Sequence, residues 1–372
     1  MTGAPAGANF RPENPFRAKI NRHTMPSNFP RNSLKTKESG SKDSTHFFGV
    51  PRAHLAPKNT SKLDARSQES SRYARKPGAP ARYNGSVPIQ LIAMDIDGTL
   101  LDSHAQLPDE NVRAVTEAAA AGIEIVIVTG RRFEFARGVA DALPCDLHLI
   151  VNNGAVIKSK SGETHQRLLL DADIARQLLE ATGEYRNEAT VFFDRPHGKQ
   201  VILERVDWDD PLRGGYFRRN REFIGEVEPL TACLDGEDPI QVMYVGACER
   251  IREARKIVEA LPIADEFTVA ITEYEHRNLS MLDVLRRGVN KGAALAEWAG
   301  RRGIQRENVM AIGDNWNDRE MLEYAGLPVV MGNSVPELKT LGWSVTLSND
   351  ECGLAEAIHR HALRDRKTGG TR

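Results

Sequence analysis

The sequence predicts an α/β protein: a doubly wound parallel sheet of the Rossmann-like kind, interrupted by an inserted α+β domain and preceded by a disordered N-terminal tail. Three observations lead there. Short, mostly apolar stretches at 89–94, 123–128 and 146–151 alternate with helical patterns, and each ends on small polar residues and glycine, as strands buried on both faces of a parallel sheet do. From about residue 171 to 286 hairpin and turn signals replace that alternation, and it resumes at Asn290. Residues 1–87 hold 16 Lys+Arg against 5 Asp+Glu, few apolar residues and no periodicity, too little burial to offset ordering entropy. The expected division is a basic tail at 1–87, core at 88–170, an insertion at 171–286, core again at 287–365, and a frayed end at 366–372.

The elements follow in order. After the strand at 89–94, Pro108-Asp109 opens a helix whose apolar positions Val112, Val115 and Ala119 recur at helical spacing, and Gly122 ends it. A strand at 123–128 delivers Thr129-Gly130-Arg131. A helix at 133–142 leads to a strand at 146–151 that stops on Asn152-Asn153-Gly154. The insertion reads as a helix at 173–186, a hairpin at 190–193 and 201–205, an irregular Arg-rich segment, a strand at 240–245, a helix at 249–260 and strands at 268–272 and 279–285. The core then returns as a helix at 292–302, a strand at 309–312, a helix at 319–324, a strand at 328–331, a helix from Pro336, a strand at 344–347 and a final helix capped by Asp350.

Charge narrows the function. The 372-residue chain is nearly balanced at −1, but the residues beyond 87 hold 34 Lys+Arg against 46 Asp+Glu. An acidic folded body argues against nucleic-acid binding there. The Arg- and Ser-rich tail is read first as an inert extension; it also fits an organelle transit peptide, and its positive excess could touch phosphate or anionic lipid. Cys145, Cys233, Cys248 and Cys352 form no metal-ligand spacing and read as buried small hydrophobes in a reducing compartment. Nowhere do 18 apolar residues run together, so no membrane span is expected. No obligate protein partner is evident. The expected location is cytoplasmic, or an organelle if the tail is a transit peptide.

Four polar clusters fall at strand ends or helix starts, where the ligand crevice of an open α/β sheet lies. The first is Asp95-Ile96-Asp97-Gly98-Thr99, two carboxylates before a turn. A calcium loop is excluded, because the sixth and twelfth positions counted from Asp95 hold Leu100 and Gln106 instead of glycine and glutamate. The second is Thr129, with a hydroxyl to donate to a phosphate oxygen. The third is Lys291, at a helix start whose free amides favour an anion. The fourth is Gly313-Asp314-Asn315-Trp316-Asn317-Asp318. Each alone is commonly a turn or cap. Together they supply carboxylates for a hard cation and donors for a phosphoryl group.

In that order the motifs DIDGT, TGR, VNKG and GDNWND resemble the four signatures of the haloacid dehalogenase superfamily of phosphatases, over roughly residues 88–363. The insertion between the second and third is similar to the α/β cap of the Cof-type branch. The resemblance implies a Mg²⁺-dependent phosphohydrolase acting on small phosphorylated metabolites, sugar or cofactor phosphates. It implies that Asp95 attacks phosphorus, and that Asp97 protonates the leaving oxygen and later activates water. Ile96, Thr129, Gly130, Lys291 and Asn317 would hold phosphoryl oxygens. Asp95, the carbonyl of Asp97, Asp314 and, directly or indirectly, Asp318 would hold magnesium. A phosphotransferase or mutase with the same aspartyl-phosphate intermediate is the alternative enzyme, and a non-catalytic phosphate-ligand module the alternative of another class. Less determined are Asn153, read most simply as a turn residue, Arg131, which could pair with an acidic neighbour, and Asn333, which could steady the metal loop. In the insertion His197, Arg218, Arg219, Tyr274 and His276 could read the leaving group.

Overall fold

The computed structural model describes residues 88–364, so the expectations for the tail and the frayed end fall outside the described residues. Its elements in chain order are β1 (Leu91–Met94), α1 (Asp109–Ala120), β2 (Glu124–Val128), α2 (Phe133–Asp141), β3 (His148–Val151), β4 (Val156–Ser159), β5 (Thr164–Arg167), α3 (Ala172–Ala181), β6 (Ala189–Phe192), β7 (Val201–Leu203), α4 (Gly214–Arg219), β8 (Ile224–Glu226), β9 (Gln241–Gly246), α5 (Cys248–Glu259), β10 (Phe267–Tyr274) and β11 (Leu279–Arg286). They continue as α6 (Lys291–Arg301), β12 (Val309–Gly313), α7 (Arg319–Tyr324), β13 (Leu327–Val330), α8 (Pro336–Lys339), β14 (Ser344–Val345) and α9 (Gly353–Ile358).

The first sheet runs β14-β13-β12-β1-β2-β3-β4-β5, with β14 through β3 parallel and the β3–β4 and β4–β5 pairs antiparallel. All four residues of β1 are fully buried, which is why its sequence reads as an unbroken apolar run. Its side chains alternate between layers. Ile92 and Met94 pack with Ala114, Val115, Ala136 and Ile358 from α1, α2 and α9, whereas Leu91 and Ala93 pack with Leu295, Trp298, Met321 and Leu338 from α6, α7 and α8. With β12 on one side and β2 on the other, β1 carries Asp95 to the middle of the sheet's carboxyl edge. That edge is the crevice side.

The insertion forms the second sheet, β10-β11-β9-β6-β7-β8, antiparallel except for the β7–β8 pair. Helices α3 and α5 bury Leu178, Ile251, Ala254 and Val258 on one of its faces, with Val191, Val242, Leu282 and Val284. The other face joins the apolar cluster of the first sheet, which includes Phe192, Val201, Leu203, Ile224 and Leu285, and Phe135 of α2 meets Tyr216 of α4 edge-on with ring centroids 5.6 Å apart. Arg132, just before α2, is equally engaged. It is buried, donates to Gln200 Oε1 at 2.8 Å and Asn220 Oδ1 at 2.6 Å, and lies 4.1 Å from the Phe223 ring centroid.

Several expectations are corrected. The β4–β5 hairpin is an addition to the first sheet, and α4 and β8 occupy the segment read as irregular. Helix α3 ends at Ala181, before a separate turn at Gly183–Tyr185. The last helix is not capped by Asp350. Ser348 and Glu351 cap a short turn, Cys352 adopts the left-handed conformation, and α9 follows, while Asp350 accepts from the Ser103 amide at 2.8 Å. Of the cysteines only Cys248 is buried. No helix among the described residues is long and apolar enough to cross a membrane.

Asn111 shows how the core secures the loop after β1. Fully buried on α1, it donates to the Leu100 carbonyl at 2.9 Å and accepts from the Ala355 amide at 3.1 Å. Asn111→Ala leaves two backbone groups without these partners, so urea denaturation should show a loss of about 2–4 kcal/mol. A loss under about 0.5 kcal/mol, the range of an ordinary surface change, would refute this account.

Candidate active site

The first polar cluster is built by a turn that only its own sequence permits. Asp95 closes β1, its amide donating to the Ile312 carbonyl at 3.1 Å, and Ile96 is buried behind it. Gly98 has φ 81°, the left-handed region, and a Cβ there would stand 2.3 Å from Asp314 Oδ2. A side chain is therefore excluded twice, by conformation and by space. Thr99 donates to Asp314 Oδ1 at 3.0 Å, and Asn333 donates to the Gly98 carbonyl at 2.8 Å, so the first and fourth clusters hold each other.

Lys291 reaches this point from the start of α6, whose N-cap Asn290 accepts from the Ala293 amide at 2.7 Å. Although 1% exposed, its Nζ donates to Asp95 Oδ1 and Asp318 Oδ1, each at 2.7 Å. The other oxygen of Asp318 accepts from the amides of Asp314 and Asn315, both at 3.0 Å, which folds the loop after β12 around it. Burial pushes the Asp95 carboxyl up to about 7, against the pull of Lys291 and with the push of Asp318 and Asp97. Burial likewise raises Asp314 well above its usual range, with Asp318 and Asp95 adding to it. Burial opposes the charge on Lys291, but Asp318 and Asp95 outweigh it and raise the ammonium's pKa.

Asp95, Asp314 and Asp318 offer oxygens within 4.8 Å of one another. One ammonium does not neutralise three carboxylates. A buried, oxygen-only donor set with excess negative charge fits a hard divalent cation such as Mg²⁺.

The second cluster places the remaining polar groups. Thr129 is 1% exposed at the end of β2, its hydroxyl oxygen accepting from the Arg131 amide at 3.2 Å. Arg131 pairs with an acidic neighbour: Nε and Nη2 donate to the two oxygens of Asp97 at 2.7 and 2.6 Å. Such a bidentate fork fixes the carboxylate plane. Asn317 donates to Asn153 Oδ1 at 3.3 Å, and Asn153 donates to Asp283 Oδ2 at 3.0 Å. Burial pushes the Asp283 carboxyl up to about 7, with the Asn153 hydrogen bond and Lys291 pulling the other way.

The expected residues Asp95, Asp97, Thr129, Lys291, Asp314, Asn317 and Asp318 are thus linked through contacts at one edge of the first sheet, and Gly130 adjoins Asn153. Of the insertion residues, His197, Arg218 and Arg219 are exposed, and the His276 side chain lies outside the described residues. Of the four whose side chains are described, Tyr274 is the one that senses the site's carboxylates. Burial raises its hydroxyl pKa well above the usual value, and the negative charges of Asp97, Asp314, Asp95 and Asp318 raise it further. Sequence reasoning missed Thr99 and Asp283. Thr99 stood inside a recognised motif, but nothing near Asp283 signalled it.

Known proteins resemble the chain over most of these residues. The family described as haloacid dehalogenase-like hydrolase matches residues 92–358. The 5-amino-6-(5-phospho-D-ribitylamino)uracil phosphatase YcsE of Bacillus subtilis (strain 168) is 31% identical over 277 residues, covering 74% of this chain and 97% of that protein. The pyridoxal phosphate phosphatase YbhA of Escherichia coli (strain K12) is 27% identical over 290 residues, covering 74% and 99%. Among solved structures, a haloacid dehalogenase-like hydrolase from B. subtilis superposes with a TM-score of 0.62 at 26% identity, covering 73% of this chain and 99% of that one.

Proposed function

Because the chain belongs to the family of haloacid dehalogenase-like hydrolases, we propose that it removes phosphate from small phosphorylated metabolites, sugar or cofactor phosphates, in a Mg²⁺-dependent reaction through an aspartyl-phosphate. It is a phosphatase. The observation that carries the mechanism is the buried Lys291 bridging Asp95 and Asp318 at 2.7 Å, beside Asp314. The names of the B. subtilis and E. coli relatives support the substrate class.

Asp95 is the nucleophile. One of its oxygens bonds to phosphorus as the bond to the leaving oxygen breaks, and Asp97 gives that oxygen a proton. Asp97 then takes a proton from water, which attacks phosphorus, releasing inorganic phosphate and restoring the Asp95 carboxylate. Thr129, Gly130, the Ile96 backbone, Lys291 and Asn317 hold the phosphoryl oxygens. Asp95, the Asp97 carbonyl and Asp314 would hold a divalent cation, with Asp318 ordering the loop behind them or joining directly, and such a cation would supply the neutralisation that lets a carboxylate approach a dianion. In the described geometry both oxygens of Asp97 are engaged by Arg131. An entering phosphate competes for that guanidinium and frees Asp97 for the leaving oxygen. The activity is assigned to the cytoplasm, since four free thiols suit a reducing compartment.

The test is hydrolysis of p-nitrophenyl phosphate by the purified chain with Mg²⁺, after EDTA, and after Mg²⁺ is restored. Turnover should fall by about 10²-fold or more in EDTA and return with the metal. Phosphate release without an acceptor sugar separates hydrolysis from phosphotransfer. No turnover in Mg²⁺ on this compound or a panel of metabolite phosphates would overturn the reading.

A further inference from the structure

We propose that Asp283, although carried by the cap strand β11 where leaving-group specificity is expected, is a positioning residue for the phosphoryl end of the site, acting through Asn153 on Asn317. The inference rests on the proposed phosphatase reading, in which Asn317 holds a phosphoryl oxygen.

The turn Asn152–Gly154 is an unusual place for side chains. Asn152, Asn153 and Gly154 have φ values of 49°, 51° and 106°, three left-handed residues in succession. Both asparagines are almost completely buried, at 2% and 1% exposure. Non-glycine residues stay in this region only where their surroundings over-determine them. Here the Asn152 amide donates to the Arg131 carbonyl at 2.9 Å and the Asn153 amide to the Thr129 carbonyl at 3.1 Å, clamping the turn to the phosphate-binding loop. A Cβ on Gly130 would stand 3.1 Å from Asn153 Oδ1, so the absence of a side chain there makes room for the Asn153 amide.

Direction is the informative property of this network. Asn317 donates to Asn153 at 3.3 Å and Asn153 donates to Asp283 Oδ2 at 3.0 Å. From the other side Asn152 donates to Gln241 at 3.2 Å and Gln241 donates to Asp283 Oδ1 at 2.7 Å. Both arms end on Asp283, one oxygen each. A primary amide can present either its oxygen or its nitrogen to a neighbour; the ionised form of Asp283, which the Asn153 hydrogen bond and Lys291 favour against burial, can only accept. With Asp283 at the end, the Asn153 NH₂ group must face the cap and its carbonyl must face Asn317. Asn317 therefore turns its NH₂ toward Asn153 and keeps a second N–H for an anion. Were the Asn153 amide reversed, a carbonyl oxygen of Asn317 would occupy that place and repel a phosphate oxygen. Asp283 is 4% exposed, and no cation hydrogen-bonds it among the described residues. Burying such a group is costly, and directing two amide chains is a return that an apolar residue would not give.

The experiment is calorimetric titration of inorganic phosphate into the Mg²⁺-loaded full chain, for wild type, Asp283→Asn and Asn153→Ala, beside steady-state kinetics on p-nitrophenyl phosphate and pyridoxal phosphate. Asp283→Asn keeps the shape but offers an NH₂ group to one arm. It should weaken phosphate binding by about 10- to 100-fold, the usual effect of losing an orienting partner, and lower kcat/KM by one common factor for both substrates. Asn153→Ala removes the middle link from the core side and should give the same signature, which keeps the test informative if Asp283→Asn does not fold. Unchanged phosphate affinity in a folded variant, or a loss confined to one substrate, would overturn the proposal and make Asp283 a structural or leaving-group residue. Phosphate binding by wild type without turnover would sink the phosphatase reading alone.

Discussion

Asp95→Asn should abolish turnover, with kcat falling by on the order of 10⁴-fold or more, the scale seen when a covalent nucleophile is lost. The amide is nearly isosteric and can still accept from Lys291, which now approaches Asp95 Oδ1 at 2.7 Å. It is also neutral, at a place where burial already pushes the carboxyl up to about 7. Folding should therefore survive, and the effect should be confined to chemistry. Acid quenching during turnover followed by peptide mass measurement should find phosphate on Asp95 in wild type and none in the variant. A variant retaining a tenth of the wild-type rate would show that the carboxylate is not the attacking group.

Lys291→Met should cut turnover less deeply than Asp95→Asn and cost more stability. The side chain is 1% exposed and its ammonium contacts two carboxylates of a set whose oxygens lie within 4.8 Å of one another. Losing an oriented charge on the transferring group costs about 10²- to 10³-fold in kcat. Removing one partner of a buried ion pair costs about 3–5 kcal/mol, because the other charges remain buried without it. The carboxylates left behind should bind a cation in its place, so thermal melts should show a larger rise in Tm on adding Mg²⁺ for the variant than for wild type. Equal rises together with turnover within tenfold of wild type would contradict the role assigned to this lysine.

The legible parts of the chain are those where one local pattern has one structural meaning. An apolar run such as 89–94 is a strand buried on both faces, and the polar residues that stop it lie at the crevice. Asp95, Asp97 and Asp314 could be read off for that reason, and Lys291 from its place at a helix start. The β4–β5 hairpin could not, because β5 is Thr164-His165-Gln166-Arg167, a partly exposed edge strand with no apolar period. Helix α4 begins with two glycines, so its propensity points away from the structure it adopts beneath Trp208. Asn153 read as a turn residue, which it is; what the sequence could not convey is that its amide meets Asp283, 130 positions later. Long-range pairing of single polar side chains leaves no periodicity to detect.

The apolar cluster that runs unbroken from α2 and the first sheet onto Phe192, Val201, Leu203, Ile224 and Leu285 of the second, flanked by Arg132 among Gln200, Asn220 and Phe223, bears on modular engineering. A transplanted cap would have to bring its own partners for Phe135 and Arg132, and a cap-less truncation would leave apolar surface bare on both fragments. Chimeras of this chain have to exchange the 132–135 segment together with the strands it plugs into.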